Sequence, residues 1–156
     1  MVAEQLRSFG CDEVVTGIGR TGVVGVIRGA KGAGNGRVIG LRADMDALPI
    51  EEANDFAYKS TVPGKMHDGC CSAPRAISPR RAISPVLRVI FQPAEEGGAG
   101  SRAVVQDGLM ERVGIEEVYG MHDYPGLPPG QFGLRPGPLM ASADRLTIEI
   151  EGRGPT

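Results

Sequence analysis

Hydrophobic positions along the chain fall mostly into short β-branched runs broken by glycine and proline. The first segment differs. Residues 1–9 (MVAEQLRSF) set Val2, Leu6 and Phe9 at helical spacing, and Gly10 stands where a helix-ending C′ glycine belongs. With no capping residue ahead of it, this stretch reads as the tail of a longer helix. Residues 13–16, 21–28 (TGVVGVIR) and 37–44 (RVIGLRAD) predict three successive strands, the last two joined as a hairpin by a glycine-rich turn over 29–36. Residues 87–91 (LRVIF) predict a fourth strand and 117–121 (EVYGM) a fifth. A short extension is expected at 131–135, and 145–151 (RLTIEIE) alternates as a half-buried strand does. Between the fourth and fifth strands, 99–110 (AGSRAVVQDGLM) predicts an amphipathic helix in spite of Gly108. Strands separated by a helix define the α/β class, with a mixed sheet.

One stretch departs from this order. The pentapeptide RAISP at 75–79 is copied at 81–85, a spacing that matches no solenoid period. Pro74, Pro79 and Pro85 forbid a continuous helix there, so a loop is expected over 70–86.

Composition narrows the class. The 156 residues include 24 Gly and 12 Pro but no Trp, three Tyr and four Phe, so a core must be built from Val, Ile, Leu and Ala between many turns. The length suits one domain of roughly 100–200 residues. Lys and Arg number 17 against 19 Asp and Glu, a net charge of −2, which argues against a nucleic-acid partner held by a broad basic surface. Mean hydropathy is −0.10, and no apolar run approaches the roughly 20 residues of a membrane span, so no membrane association is expected. Residues 1–10 lack the apolar centre of a signal peptide, which makes the cytoplasm the expected location. Cys11, Cys70 and Cys71 are an odd set that reads as reduced thiols, and the adjacent pair does not have zinc-site spacing.

Gly17-Ile18-Gly19-Arg20-Thr21-Gly22 spells a dinucleotide-binding fingerprint, but that function needs a helix to start at the third glycine. The β-branched run that follows predicts a turn between antiparallel strands instead. Three other sites carry chemistry. Asp44 and Asp46 follow an apolar strand and precede Pro49; Glu95 and Glu96 follow LRVIF between Pro93 and two glycines; His122 and Asp123 follow EVYGM. Carboxylates and an imidazole directly after three apolar strands are the ingredients of a metal site at the carboxyl edge of a sheet.

The segments LRADMDALPIEE, FQPAEEGGAG, VYGMH and RPGPLMASADRLTIEIEGRG resemble the M20-type metal-dependent amidohydrolases, in the branch of aminoacylases, hippurate hydrolases and auxin-conjugate hydrolases. The resemblance runs from about residue 4 to 154, apart from 70–86. It implies a catalytic α/β domain, here a partial three-layer sandwich around a central mixed sheet, interrupted in the family by a smaller lid domain used for dimerisation. It also implies divalent metal, zinc or manganese, and hydrolysis of the amide bond of a small N-acyl amino acid. By the same resemblance Glu95 is the general base that activates water, and Glu96 and His122 are metal ligands.

The departures carry their own expectations. Where the family has His-Ala-Cys-Gly-His-Asp-Gly-His-Thr, this chain has Met66-His67-Asp68-Gly69, so a cysteine and at least one histidine ligand are missing. His67 stands for either the first or the second family histidine. Residues 1–144 are expected to be a partial catalytic domain, with 70–86 aberrant, and 145–156 the start of a truncated lid. A permitted codon choice for residues 70–79, read one base earlier, gives Leu-Leu-Gly-Ala-Ala-Arg-Tyr-Leu-Ala, an amphipathic helix like the one the family places after its metal motif. The stretch therefore reads as a frameshifted, partly deleted remnant that returns to frame near Val86; a gene sequence whose neighbouring frame lacks that peptide would exclude this. Metal binding is expected to be weak or lost and hydrolysis impaired. The alternative is a non-catalytic remnant that forms homo-oligomers or aggregates through an exposed sheet.

Overall fold

The computed structural model describes residues 1–29, 37–57, 59–67, 86–95, 99–122, 126–139 and 146–152. Residues Met1–His122 form one compact unit and Asp123–Thr156 a second.

The first unit opens with helix α1 (Val2–Ser8). Its end is a Schellman motif: Gly10 takes φ of 78°, its N–H donates to the Arg7 carbonyl at 3.0 Å, and the Cys11 N–H donates to the Leu6 carbonyl at 3.1 Å. Five strands then build one sheet: β1 (Glu13–Ile18), β2 (Gly22–Arg28), β3 (Val38–Asp44), β6 (Val86–Gln92) and β7 (Glu117–Gly120). Two short strands, β4 (Ala47–Leu48) and β5 (Met66–His67), form a separate ribbon. Helices α2 (Gly100–Gln106) and α3 (Leu109–Val113) lie between β6 and β7 in sequence.

Strand order is β1-β2-β6-β3-β7. β1, β2 and β6 pair antiparallel, while β3 runs parallel to both β6 and β7, so the sheet is mixed as the sequence predicts. The expected hairpin between β2 and β3 does not form. β6 lies between them, with Val89 beside Gly25 on one side and Leu41 on the other. The reason lies in burial: β6 is buried on both faces, the signature of an interior strand, and its place between β2 and β3 gives it two neighbours.

Each face of the sheet carries a packed cluster, although Leu41 of β3 and Tyr119 of β7 stay exposed on the α1 side. On one, Leu6 of α1 packs with Val23, Ile27, Ala43, Leu87, Val89 and Phe91. On the other, Val104, Leu109 and Val113 of the helix pair pack with Ile18, Val24, Ile90 and Ile115. Helix, sheet and helix pair are the three layers. Arg88 of β6 reaches across the second face, its Nε donating to the Val113 carbonyl at 2.8 Å, and burial holds its guanidinium below the ordinary arginine value.

Three other expectations are corrected. The helix over 99–110 is two helices, because Asp107 ends α2 and Gly108 turns the chain at φ of 77° before α3. Residues 131–135 form no strand. Residues 146–152 form none either: the alternation of Leu146, Ile148 and Ile150 is present, but no strand pairs with it among the described residues and all three side chains are exposed. Of the loop expected over 70–86, Val86 already belongs to β6 and the rest lies outside the described residues.

Candidate metal and catalytic site

The parallel strands β6, β3 and β7 end at the same edge of the sheet. Asp44 of β3 pairs with Gln92 of β6, and Arg42 with Gly120 of β7. Register therefore sets the segment after β6 (Pro93 to Glu95) beside Met45 and Asp46, with Met121 and His122 on the far side of β3. The β4–β5 ribbon adds a fourth element. Ala47, next in sequence to Asp46, pairs with His67, which brings the His67 backbone to the same edge. Residue order carries no signal for this ribbon, because two-residue strands have no periodicity.

Asp44 is buried and fully engaged in architecture. One oxygen, Oδ1, accepts the N–H groups of Met45 at 2.7 Å and Asp46 at 3.2 Å; Oδ2 accepts Arg42 Nη2 at 3.1 Å. Arg42 also donates through Nε to Gln92 Oε1 at 2.9 Å, and the Met45 N–H donates to the Gln92 carbonyl at 3.0 Å. These bonds knit the ends of β3 and β6 together. Asp46 reaches further and accepts the Ala94 N–H through Oδ1.

The described ends of the segment between β6 and α2 are bonded to each other. Ala94 has φ of 56° and Ala99 φ of 49°, both left-handed, and the Gly100 N–H donates to the Ala94 carbonyl at 3.0 Å. Gly100 is required there, since a Cβ would overlap the Pro93 carbonyl oxygen. Glu95 is presented from this segment to solvent, and His122 is exposed just beyond β7. Glu96 lies outside the described residues, as do Asp68, Cys70 and Cys71.

Imidazole and carboxylate are the donor types that suit zinc or manganese. Among the described residues, however, no three His, Cys, Asp or Glu side chains are grouped to hold an ion. The donors fit a divalent metal in kind, while the described set is too small to enclose one.

The glycine fingerprint forms the β1–β2 hairpin, as the residues after it predict. Gly19 (φ 56°) and Arg20 (φ 81°) are the tight turn, and Gly17 (φ 79°) occupies the bulge between Thr16 and Ile18. The chain re-enters the sheet at Gly22 as β2, so no helix begins at the third glycine to receive a pyrophosphate.

A three-layer α/β sandwich with carboxylate and imidazole groups at the ends of its parallel strands defines an α/β protein with a candidate metal site at the sheet edge. The chain belongs to peptidase family M20/M25/M40, which it matches over residues 40–156. It is 41% identical to the hippurate hydrolase of Campylobacter jejuni over 161 aligned residues, covering 99% of this chain and 41% of that enzyme. It is 42% identical to the N-acetylcysteine deacetylase of Bacillus subtilis, covering 83% of this chain and 36% of that one. The solved structure of a dinuclear metal-binding M20 peptidase from Bacillus subtilis superposes with a TM-score of 0.67 at 34% identity, over 88% of this chain and 41% of that one. The chain thus spans about two-fifths of the length of these relatives.

Proposed function

We propose that this chain carries the base and part of the metal-ligand set of an amidohydrolase acting on small N-acyl amino acids. The convergence of Glu95, His122 and the His67 backbone at the carboxyl edge of β6, β3 and β7 supports this reading most directly. The names of the relatives, a hippurate hydrolase and an N-acetylcysteine deacetylase, support the substrate class. Glu95 is the general base. It takes a proton from water as the oxygen attacks the amide carbonyl, and returns it to the departing nitrogen as the C–N bond breaks, giving a carboxylic acid and an amino acid. Glu96, His122 and His67 would hold a divalent metal, zinc or manganese. When bound, such a metal polarises the carbonyl and makes water acidic near neutral pH. A cytoplasmic setting goes with this reading, and no helix among the described residues is long and apolar enough to cross a membrane.

The segment Met66-His67-Asp68-Gly69 offers fewer donors than the family motif it replaces. The 156-residue chain accordingly binds at most one metal, weakly, and shows no measurable hydrolysis. Metal titration with Mn²⁺ and Zn²⁺, alongside assays on hippurate and N-acetyl amino acids, tests this. Robust turnover abolished by chelator and by Glu95→Gln would overturn the claim of impairment; a complete lack of metal uptake would overturn the metal assignment.

A second reading, a non-catalytic chain that self-associates, is favoured by one observation. β7 is a sheet edge with no second partner strand among the described residues, and its Val118 and Tyr119 are 45% and 55% exposed. Concentration-dependent sedimentation in the absence of metal, with no metal uptake, would favour it.

A further inference from the structure

We propose that Asp46 is a positioning residue for Glu95, acting through the backbone of Ala94 rather than as a metal ligand. The proposal rests on the reading of Glu95 as the base. Three observations carry it. The Oδ1 of Asp46 accepts the Ala94 N–H across the gap between β3 and β6, joining residues 48 apart in sequence. Ala94 is one of three non-glycine residues at positive φ among those described, a conformation that an alanine adopts only when its surroundings impose it. The residue it then delivers is Glu95, exposed at the strand-end edge.

The surrounding bonds show why the task falls to Asp46. Asp44 Oδ1 accepts the Asp46 N–H, so the backbone bearing the Asp46 carboxylate is itself held by the part-buried Arg42–Asp44–Gln92 set. At the other end of the segment, the Gly100 N–H closes onto the Ala94 carbonyl. Ala94 is therefore gripped at its N–H by Asp46 and at its C=O by Gly100. The peptide linking Ala94 to Glu95 is held on the Ala94 side, and Glu95 starts from a fixed base. Without the Asp46 bond, Ala94 is free to relax to negative φ, which redirects the chain at Glu95.

The test compares Asp46→Asn, which keeps an Oδ1 acceptor, with Asp46→Ala, which removes it. Two readouts are used: amide hydrogen exchange at Ala94 in the metal-free chain, and Mn²⁺ broadening of the amide signals near Glu95 and His122. In Asp46→Ala, Ala94 should exchange roughly ten- to a hundredfold faster, while Val24 and Val89 in the core keep their protection. Asp46→Asn should retain most of the Ala94 protection and the Mn²⁺ broadening of the Glu95 amide, whereas Asp46→Ala should lose the broadening at Glu95 and keep it at His122, because uptake does not depend on Glu95. Adding Ala94→Gly to Asp46→Ala should restore part of the broadening at Glu95, because glycine adopts the left-handed turn without strain.

Unchanged Ala94 exchange in Asp46→Ala overturns the proposal. So does equal loss of Mn²⁺ response in Asp46→Asn and Asp46→Ala, which would make Asp46 a ligand. If Asp46→Ala also exposes Val24 and Val89, the decision passes to Asp46→Asn, whose failure to protect Ala94 overturns the proposal and whose success upholds it. Asp46-dependent protection of Ala94 in a chain that takes up no Mn²⁺ upholds the positioning while overturning the metallohydrolase reading.

Discussion

Asp107 accepts the amide N–H of Gly19 at 3.1 Å, tying the junction of α2 and α3 to the tip of a hairpin 88 residues earlier in the chain. The same oxygen accepts Arg112 Nη1 at 2.6 Å. One half-exposed carboxylate thus fastens the helical layer to the far end of β1 and β2. Asp107→Ala should destabilise the chain by about 1 kcal/mol, the lower range for a charge-assisted bond in contact with solvent. Urea unfolding would show a lower midpoint with an unchanged slope.

Gly40 lies in the middle of β3, where a Cβ would stand 2.9 Å from Ile90 Cδ1 and 3.3 Å from both Ile115 Cγ2 and Val118 Cγ2. Gly40→Ala forces that cluster apart and should cost about 1–3 kcal/mol, the usual range for overpacking a core. Thermal unfolding would register the loss, and a rise in melting temperature would contradict it.

The hairpin turn should bind no nucleotide. NAD titrated against the chain should give no saturable signal by calorimetry. Gly19→Ala should act on stability alone, since its Cβ would meet Val104 Cγ2 at 2.6 Å and the Val104 nitrogen at 2.9 Å. Saturable NAD binding that Gly19→Ala abolishes would contradict the assignment.

Within the proposed site, base and ligand should separate experimentally. Glu95→Gln should leave Mn²⁺ uptake within about threefold of the parent chain, whereas His122→Ala should weaken it roughly tenfold or more. Water-proton relaxation by Mn²⁺ measures both, and equal effects from the two substitutions would remove the distinction in roles.

Much of this was legible from residue order, in physical terms. The 3.6-residue spacing in residues 2–8 and the glycine after them specify α1 and its Schellman end, and β-branched runs specify the five main strands to within two residues at each end. Neighbours were not legible. A period of two sets which face a side chain occupies, not which strand lies alongside, so the short glycine-rich link after β2 suggested a hairpin where β6 intervenes. Residues 145–151 show the same limit, because alternation describes a strand that has a partner and supplies none. At the site, strand-end carboxylates and His122 were apparent from their place after apolar runs. The division of labour between Asp44 and Asp46 was not, because two aspartates two residues apart give no sign of which turns inward to accept backbone amides.

The insertion of β6 between β2 and β3 also governs the order of assembly. Both neighbours of this strand precede it in the chain, by 58 residues for the Arg28–Val86 pair and by 48 for Val38–Val86. During synthesis β2 and β3 each emerge with a bare edge, and neither can satisfy it until residue 92 has been made. Sheets completed by such distant pairings close slowly, and exposed edges recruit other chains in the meantime. The nascent protein is therefore most vulnerable before β6 arrives, and the strand that joins β2 to β3 also ends that interval.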